Sequence, residues 1–192
     1  MQQLKMWWKR MKPDEVNLPA GFTVRTFRES DIDVWIEICK AGKLLPDDAA
    51  HQNFVDTMVN RENLNVSDII FIEHNGRVVA TTTPVVDERE KLGYVHMVAV
   101  LPEFRGFKLG KQLNNLVMNE IYNAGCENAY LTTDDDRIPA IKSYLTAGFY
   151  PVLYDVDMEE RWRKVMQTLE IHELSAVDES GEFCETITLG EG

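Results

Sequence analysis

From Gly93 to Gly125 the chain reads as a strand, a short glycine-bearing turn and a long helix, and no other stretch constrains the fold as much. Leu109, Leu113, Leu116, Val117 and Ile121 recur at helical spacing, and Gly125 is a natural helix stop. Just upstream, two strand-like runs, Asp68 to Glu73 and Arg77 to Val86, bracket Asn75-Gly76. That dipeptide readily takes the positive φ values of a type I′ hairpin turn. Before these strands, Phe22 to Phe27 alternates as a strand, and Ser30 is the expected N-cap of a helix with Asp33 facing its first-turn amides. A second helix is expected from Asp47 to about Asn60, with Ala50, Phe54 and Met58 on one face. After Gly125, Asn128 to Thr133 is a strand and Arg137 to Ala147 a helix with Pro139 in its first turn. Phe149 to Tyr154 is a further strand, and Trp162, Val165, Met166 and Leu169 mark a last helix. Glu182 to Leu189 reads as a terminal strand or a frayed tail. The order β-α-α-β-β-β-α-β-α-β predicts one mixed sheet with helices on its faces.

Composition narrows the function classes. The 192 residues, 44% hydrophobic and 27% charged, suit one substantial domain and exclude a disordered or low-complexity chain. A net charge of −12 repels phosphate polyanions, so no nucleic-acid partner is expected, and any phosphate site must be a local basic cluster. Cys39, Cys126 and Cys184 lie far apart in no metal-ligand spacing, which points to a reducing compartment, the cytoplasm. No apolar run approaches the ~20 residues of a membrane span, and no membrane partner is expected. Met1 to Lys12 is basic, carries Trp7 and Trp8, and is expected to pack those rings on the domain. The expected organisation is an N-terminal arm over 1–20, a domain over 21–170 and a C-terminal strand or tail over 171–192.

The chemistry concentrates between Val98 and Lys111. A helix begins there after a strand and a turn, and a helix N-terminus presents unpaired amides and the positive end of its dipole. Gly106 and Gly110 permit close backbone approach, and Arg105, Lys108 and Lys111 add positive charge to an acidic protein. From the residues alone this is either an anion site or a solvated helix start. Asp134-Asp135-Asp136 suggests a metal, but adjacent carboxylates diverge and no nearby His or Cys completes a set; helix capping is expected instead.

Val98-Ala99-Val100-Leu101-Pro102-Glu103-Phe104-Arg105-Gly106-Phe107-Lys108-Leu109-Gly110 resembles the acyl-CoA-binding signature of the GNAT superfamily of N-acetyltransferases. A second block, Ala140-Ile141-Lys142-Ser143-Tyr144-Leu145-Thr146-Ala147-Gly148-Phe149, is similar to that family's Ala-Ile-x-x-Tyr-x-x-x-Gly-Phe segment. The resemblance implies an α/β (α+β) fold, with a mixed, mostly antiparallel sheet flanked by helices on both faces. It implies acetyl-CoA as co-substrate, no metal, and transfer of an acetyl group to a primary amine of a small molecule or protein. Val98, Ala99 and Val100 would hold the pantetheine arm. Arg105, Gly106, Phe107, Lys108, Leu109, Gly110 and Lys111 would wrap the pyrophosphate. Two positions depart from the family pattern: Lys108 replaces a frequent glycine, and Arg137 stands where an asparagine is frequent. Lys108 can serve there only if its φ is ordinary, its ammonium then pairing with a phosphate, and Arg137 can reach CoA with its fork. A catalytically silent acyl-CoA-binding module is the alternative reading.

Amine attack on a thioester needs a base, an oxyanion donor and an acid for the leaving thiolate. The resemblance implies the Val98 amide as oxyanion donor and Tyr144 as acid; read without it, Tyr144 is a core tyrosine. Strand alternation puts Tyr94, His96 and Val98 on one face, with His96, of reference pKa near 6.5, as base or as a strand histidine satisfied by a neighbour. Glu73 and water are alternative bases. The Thr and Ile content of 182–189 suits strand addition to a second copy, hence a homodimer.

Overall fold

The computed structural model describes residues 2–189. In chain order the strands and helices begin β1 (Leu4–Lys9), β2 (Phe22–Thr26), α1 (Ile32–Ala41) and α2 (His51–Phe54), which runs on as a π turn, Val55–Val59. Next come β3 (Ile70–His74), β4 (Arg77–Asp87), β5 (Leu92–Val100), α3 (Leu109–Asn123) and β6 (Asn128–Thr133). The chain closes with α4 (Ile138–Thr146), β7 (Tyr150–Pro151), α5 (Met158–Leu169), β8 (Glu173–Val177) and β9 (Phe183–Thr188). Two compact units result: one is Met11–Cys126, the other comprises the segments up to Arg10 and from Glu127.

In the unit Met11–Cys126, β2-β3-β4-β5 pair in that order, all antiparallel. The hairpin turn is as expected, with φ of 49° at Asn75 and 81° at Gly76. Helices cover both faces of β5. A Cβ added at Gly93 would lie 2.5 Å from Ile121 of α3, so that face touches α3 closely. On the other face, one added at Gly42, at the end of α1, would lie 2.9 Å from Ala99. The core between α1, α2 and the sheet contains Trp35, Ile38, Phe54, Met58, Ile69 and Phe71, with Leu109 and Leu113 in the same cluster. Trp35 and Phe54 meet edge to face at 5.1 Å.

The cap of α1 differs from the expectation. A 3-10 turn, Glu29–Asp31, precedes it, and Asp31 rather than Ser30 is the N-cap residue; its side chain makes no cap bond to α1 and reaches back to accept the Arg28 amide at 2.6 Å. The buried Asp31 carboxylate also takes two bonds from Arg25, at 2.6 and 2.9 Å. Burial alone would raise its pKa, but the bonds from Arg25 and the Arg28 amide hold it below the ordinary carboxylate value.

In the other unit, β6-β1-β7 form an antiparallel sheet, and β8 and β9 a two-stranded one joined to Val152 by a parallel bridge at Val177. β1 lies inside the segment expected to be an arm. Leu4, Met6 and Trp8 are buried on one face, and Trp7 on the other stacks on Tyr130 at 6.4 Å. Gly181, at φ 82° in the β8–β9 turn, lies against that indole, where a Cβ would fall 2.1 Å from Nε1. The segment 182–189 is a strand, and its partner is β8 of the same chain. The aspartate run does not cap α4: its N-cap is Arg137, with no side-chain cap bond. Asp135 instead grips Arg161, at 2.9 Å from Nε, and Asp134 accepts from Gln3 at 2.9 Å. That hydrogen bond holds Asp135 below its ordinary pKa. Cys39, Cys126 and Cys184 are free thiols. Among the described residues no helix is long and apolar enough to cross a membrane.

Candidate active site

β4 and β5 pair with Thr83 opposite His96 and Thr81 opposite Ala99. One residue of β4, Thr82, therefore faces two of β5, Met97 and Val98. The extra residue is a β-bulge, and Met97 takes a left-handed φ of 54° to make it. The bulge resets the alternation. His96 and Ala99 share the α1 face, and Val98 turns to the α3 face. The expectation that Tyr94, His96 and Val98 line one face therefore fails at Val98, because alternation holds only where the ladder is regular. Thr81, Thr82 and Thr83 are fully buried, and their hydroxyls have no hydrogen-bond partner in the protein.

His96 is 7% exposed. Its Nε2–H donates to the Thr57 carbonyl in the π turn at 3.3 Å, which leaves Nδ1 as the acceptor nitrogen. Burial first, and the positive Arg61 second, push its pKa down to about 4; the Thr57 bond opposes them only in part. The reference value near 6.5 does not apply, and the ring is neutral at physiological pH. Tyr94 lies beside it, ring to ring at 5.3 Å, with the Arg61 guanidinium 4.5 Å from the centre of the Tyr94 ring. Glu73, the alternative base, is tied to Arg25 at 2.5 Å.

After Val100 and the buried Leu101, a 3-10 turn, Pro102–Phe104, leads into the basic loop. Gly106 has φ 91° and Lys108 has φ 59°, so both are left-handed. The condition of an ordinary φ is therefore not met: Lys108 keeps the left-handed backbone that glycine favours, at a strain of roughly 1–2 kcal/mol, and its amide keeps the place a glycine's would have. Its carbonyl accepts the amides of Lys111 and Gln112 and starts α3, whose earlier amides have no partner within the helix. A Cβ at Gly106 or Gly110 would meet nothing within 4 Å, so the loop backbone is open on that side. Lys108 and Phe107 are exposed; Arg105 is exposed and donates to the Ala41 carbonyl at 3.3 Å. Lys111 pairs with Asp14 at 3.0 Å, a contact the sequence did not indicate. Both partners are more than half exposed, so this ion pair is weak and yields readily to a stronger anion. Amides, a helix dipole and cations converge here, which is the donor chemistry a pyrophosphate requires.

In the other unit Tyr144 is buried near the end of α4, its ring 6.0 Å from that of Phe149, edge to face. Arg137 is half-buried at the start of the same helix. Among the described residues no group of three His, Cys, Asp or Glu side chains could hold a metal ion.

The pattern of the acetyltransferase (GNAT) family matches residues 35–149, and the chain belongs to that family. Its relatives include the mycothiol acetyltransferase of Streptomyces griseus subsp. griseus, 29% identical over 147 residues, and that of Streptomyces bingchenggensis, 28% identical over 153 residues. Each match covers 75% of this chain and 47% of the relative, so the chain spans about half the length of these relatives. A solved GCN5-related N-acetyltransferase from Sphaerobacter thermophilus shares the fold with a TM-score of 0.64 at 19% identity, over 79% of this chain and 49% of that one. The ribosomal-protein-S18-alanine N-acetyltransferase of Escherichia coli does so at 0.55 and 18%, over 66% and 76%. The fold class is therefore the family's mixed α/β type, mostly antiparallel with flanking helices.

Proposed function

We propose that this chain transfers an acetyl group from acetyl-CoA to a primary amine by direct attack on the thioester. The observation that carries the reading is the continuous run from the bulge at Met97, through the left-handed turn at Gly106 and Lys108, into the start of α3. That run coincides with the family signature and has the donors an acyl-CoA needs. Val98, Ala99 and Val100 hold the pantetheine arm, and Arg105 to Lys111 hold the phosphates, with Arg137 as a further cofactor contact. Acetyl-CoA supplies an activated acyl carbon and a thiolate leaving group.

The Val98 amide donates to the carbonyl oxygen as negative charge develops there. The amine nitrogen forms the new C–N bond, the C–S bond breaks, and Tyr144 gives its phenolic proton to the departing sulfur. His96, neutral with Nδ1 as acceptor, takes a hydrogen bond from the attacking amine or its water and orients the lone pair. With a pKa of about 4 it does not keep the proton that the amine nitrogen loses; that proton passes on to solvent water. The cysteine usage supports a cytoplasmic site of action.

The test is amine-dependent release of CoA across a panel of primary amines, with a mycothiol-type amine among them because relatives carry that name. Tyr144→Phe should lower kcat roughly 10²-fold and leave acetyl-CoA affinity nearly unchanged. Full kcat in that variant removes Tyr144 as the acid. Binding of acetyl-CoA without amine-dependent release by any panel member leaves the silent binding module.

A further inference from the structure

Arg61 follows the π turn by two residues and is half-buried. Its guanidinium carbon lies 4.5 Å from the centre of the Tyr94 ring, and that ring lies 5.3 Å from the His96 imidazole. Thr57, four residues before Arg61, holds His96 through its carbonyl. Arg61 and His96 thus flank one aromatic ring on the α1 face of the bulged strand.

Among the described arginines without a carboxylate within ion-pair distance, Arg28, Arg89 and Arg105 are exposed, whereas Arg61 is half-buried. Arg25, Arg77, Arg161 and Arg163 each sit on a carboxylate. Acids outnumber bases 32 to 20, yet among the described residues Arg61 has no acid within ion-pair distance. Its Nε is out of contact with solvent and has no hydrogen-bond partner. Removing such a donor from water is costly, and the face of Tyr94 offsets only part of that. The terminal nitrogens keep the planar fork that fits a carboxylate with two parallel hydrogen bonds.

We propose that Arg61 anchors a carboxylate on the acyl acceptor, so that the preferred substrate is an amine that also carries a carboxylate group. The proposal rests on the acyl-transfer reading and names the substrate class for it. The charge count favours a carboxylate over a phosphate: His96 is neutral, so the cluster presents one positive charge, which a single carboxylate balances and a phosphate dianion exceeds. An amino acid is also zwitterionic in solution, and so is not repelled by a body of charge −12. The carboxylate itself takes no part in bond making; it fixes the amine beside His96.

The experiment measures binding and turnover separately. Calorimetry in the presence of CoA compares glycine, alanine, leucine and phenylalanine with their amides, and β-alanine and γ-aminobutyrate with theirs. At least one free acid should bind the parent at least tenfold more tightly than its amide, a difference of about 1.4 kcal/mol. Arg61→Gln should bring that acid to the level of its amide while the amide changes by less than about twofold; Arg61→Lys, which keeps the charge and loses the fork, should fall between. Preference in the α series or in the longer amino acids supports the anchor alike and fixes its distance from the amine. The proposal is overturned if no acid exceeds its amide on the parent protein, a result independent of any variant's folding, or if Arg61→Gln weakens acid and amide equally. CoA release is followed on the same samples. An acid preference that depends on Arg61 without CoA release sinks the acyl-transfer reading and leaves the carboxylate site standing.

Discussion

Arg105, Lys108 and Lys111 hold three positive charges at the surface, whereas Arg61 and His96 set one half-buried cation and one neutral ring beside Tyr94. Both places belong to the unit Met11–Cys126, and they treat charge in opposite ways. At the turn before α3, water and salt screen each side chain, so in the proposed cofactor site the specific part of binding is assigned to the fixed backbone amides and helix dipole, and reach to the side chains. Around His96 solvent is excluded, and one guanidinium is enough to help move a neighbouring pKa to about 4. The two regions therefore respond to different perturbations: pH and burial in one, ionic strength and backbone conformation in the other.

The largest effect expected from this contrast is in the response of stability to acid. Below pH 6.5 the unfolded chain protonates His96, and the folded chain does so only near pH 4. The stabilisation from keeping the ring neutral is complete above pH 6.5 and is lost as pH falls toward 4, at about 1.4 kcal/mol per pH unit. Urea unfolding midpoints across that window should fall by an amount equal to roughly 3 kcal/mol in the parent and stay nearly flat in His96→Gln. Asp31 and Asp135, held below their ordinary values, act later, their contribution being lost only as pH falls below about 4. Parallel acid responses of parent and variant between pH 6.5 and 4 would break the distinction between the two regions.

A smaller effect is expected at the exposed turn. Lys108→Gly removes the ammonium and relieves the left-handed backbone, so the variant should be more stable by about 1 kcal/mol in thermal or urea unfolding. Its affinity for acetyl-CoA should fall about two- to fivefold at low ionic strength, with the loss shrinking as salt rises. A loss independent of salt would assign Lys108 a backbone role instead of a charge role.

The turn was legible in the sequence and the cluster was not, for a physical reason. Gly106, Lys108 and Gly110 lie within five residues, so their order in the chain is already their order in space. Asn75-Gly76 and the apolar period of α3 are local in the same sense. Arg61, Thr57 and His96 meet only after β5 docks under the π turn, and a lone arginine in an irregular segment reads as a solvated charge. The bulge at Met97 was also hidden, since nothing in Val95-His96-Met97-Val98 departs from strand composition, and it reverses the face expected of Val98. β1 went unread because Trp7 and Trp8 bury both of its faces, which erases the two-residue alternation. The Asp134–Asp136 run was misjudged as a cap because Asp135's partner, Arg161, lies in a helix that the local sequence does not reach.

If the turn from Gly106 into α3 receives the phosphates of acetyl-CoA, as proposed, calorimetric titration of Gly106→Asp against the parent will register it. Added carboxylate at that position projects into open space and so leaves the packing intact, apart from the strain of its φ of 91°. It should weaken acetyl-CoA binding at least tenfold, about 1.4 kcal/mol, while circular dichroism shows the fold retained. Equal affinity in two folded proteins would place the cofactor's phosphates elsewhere.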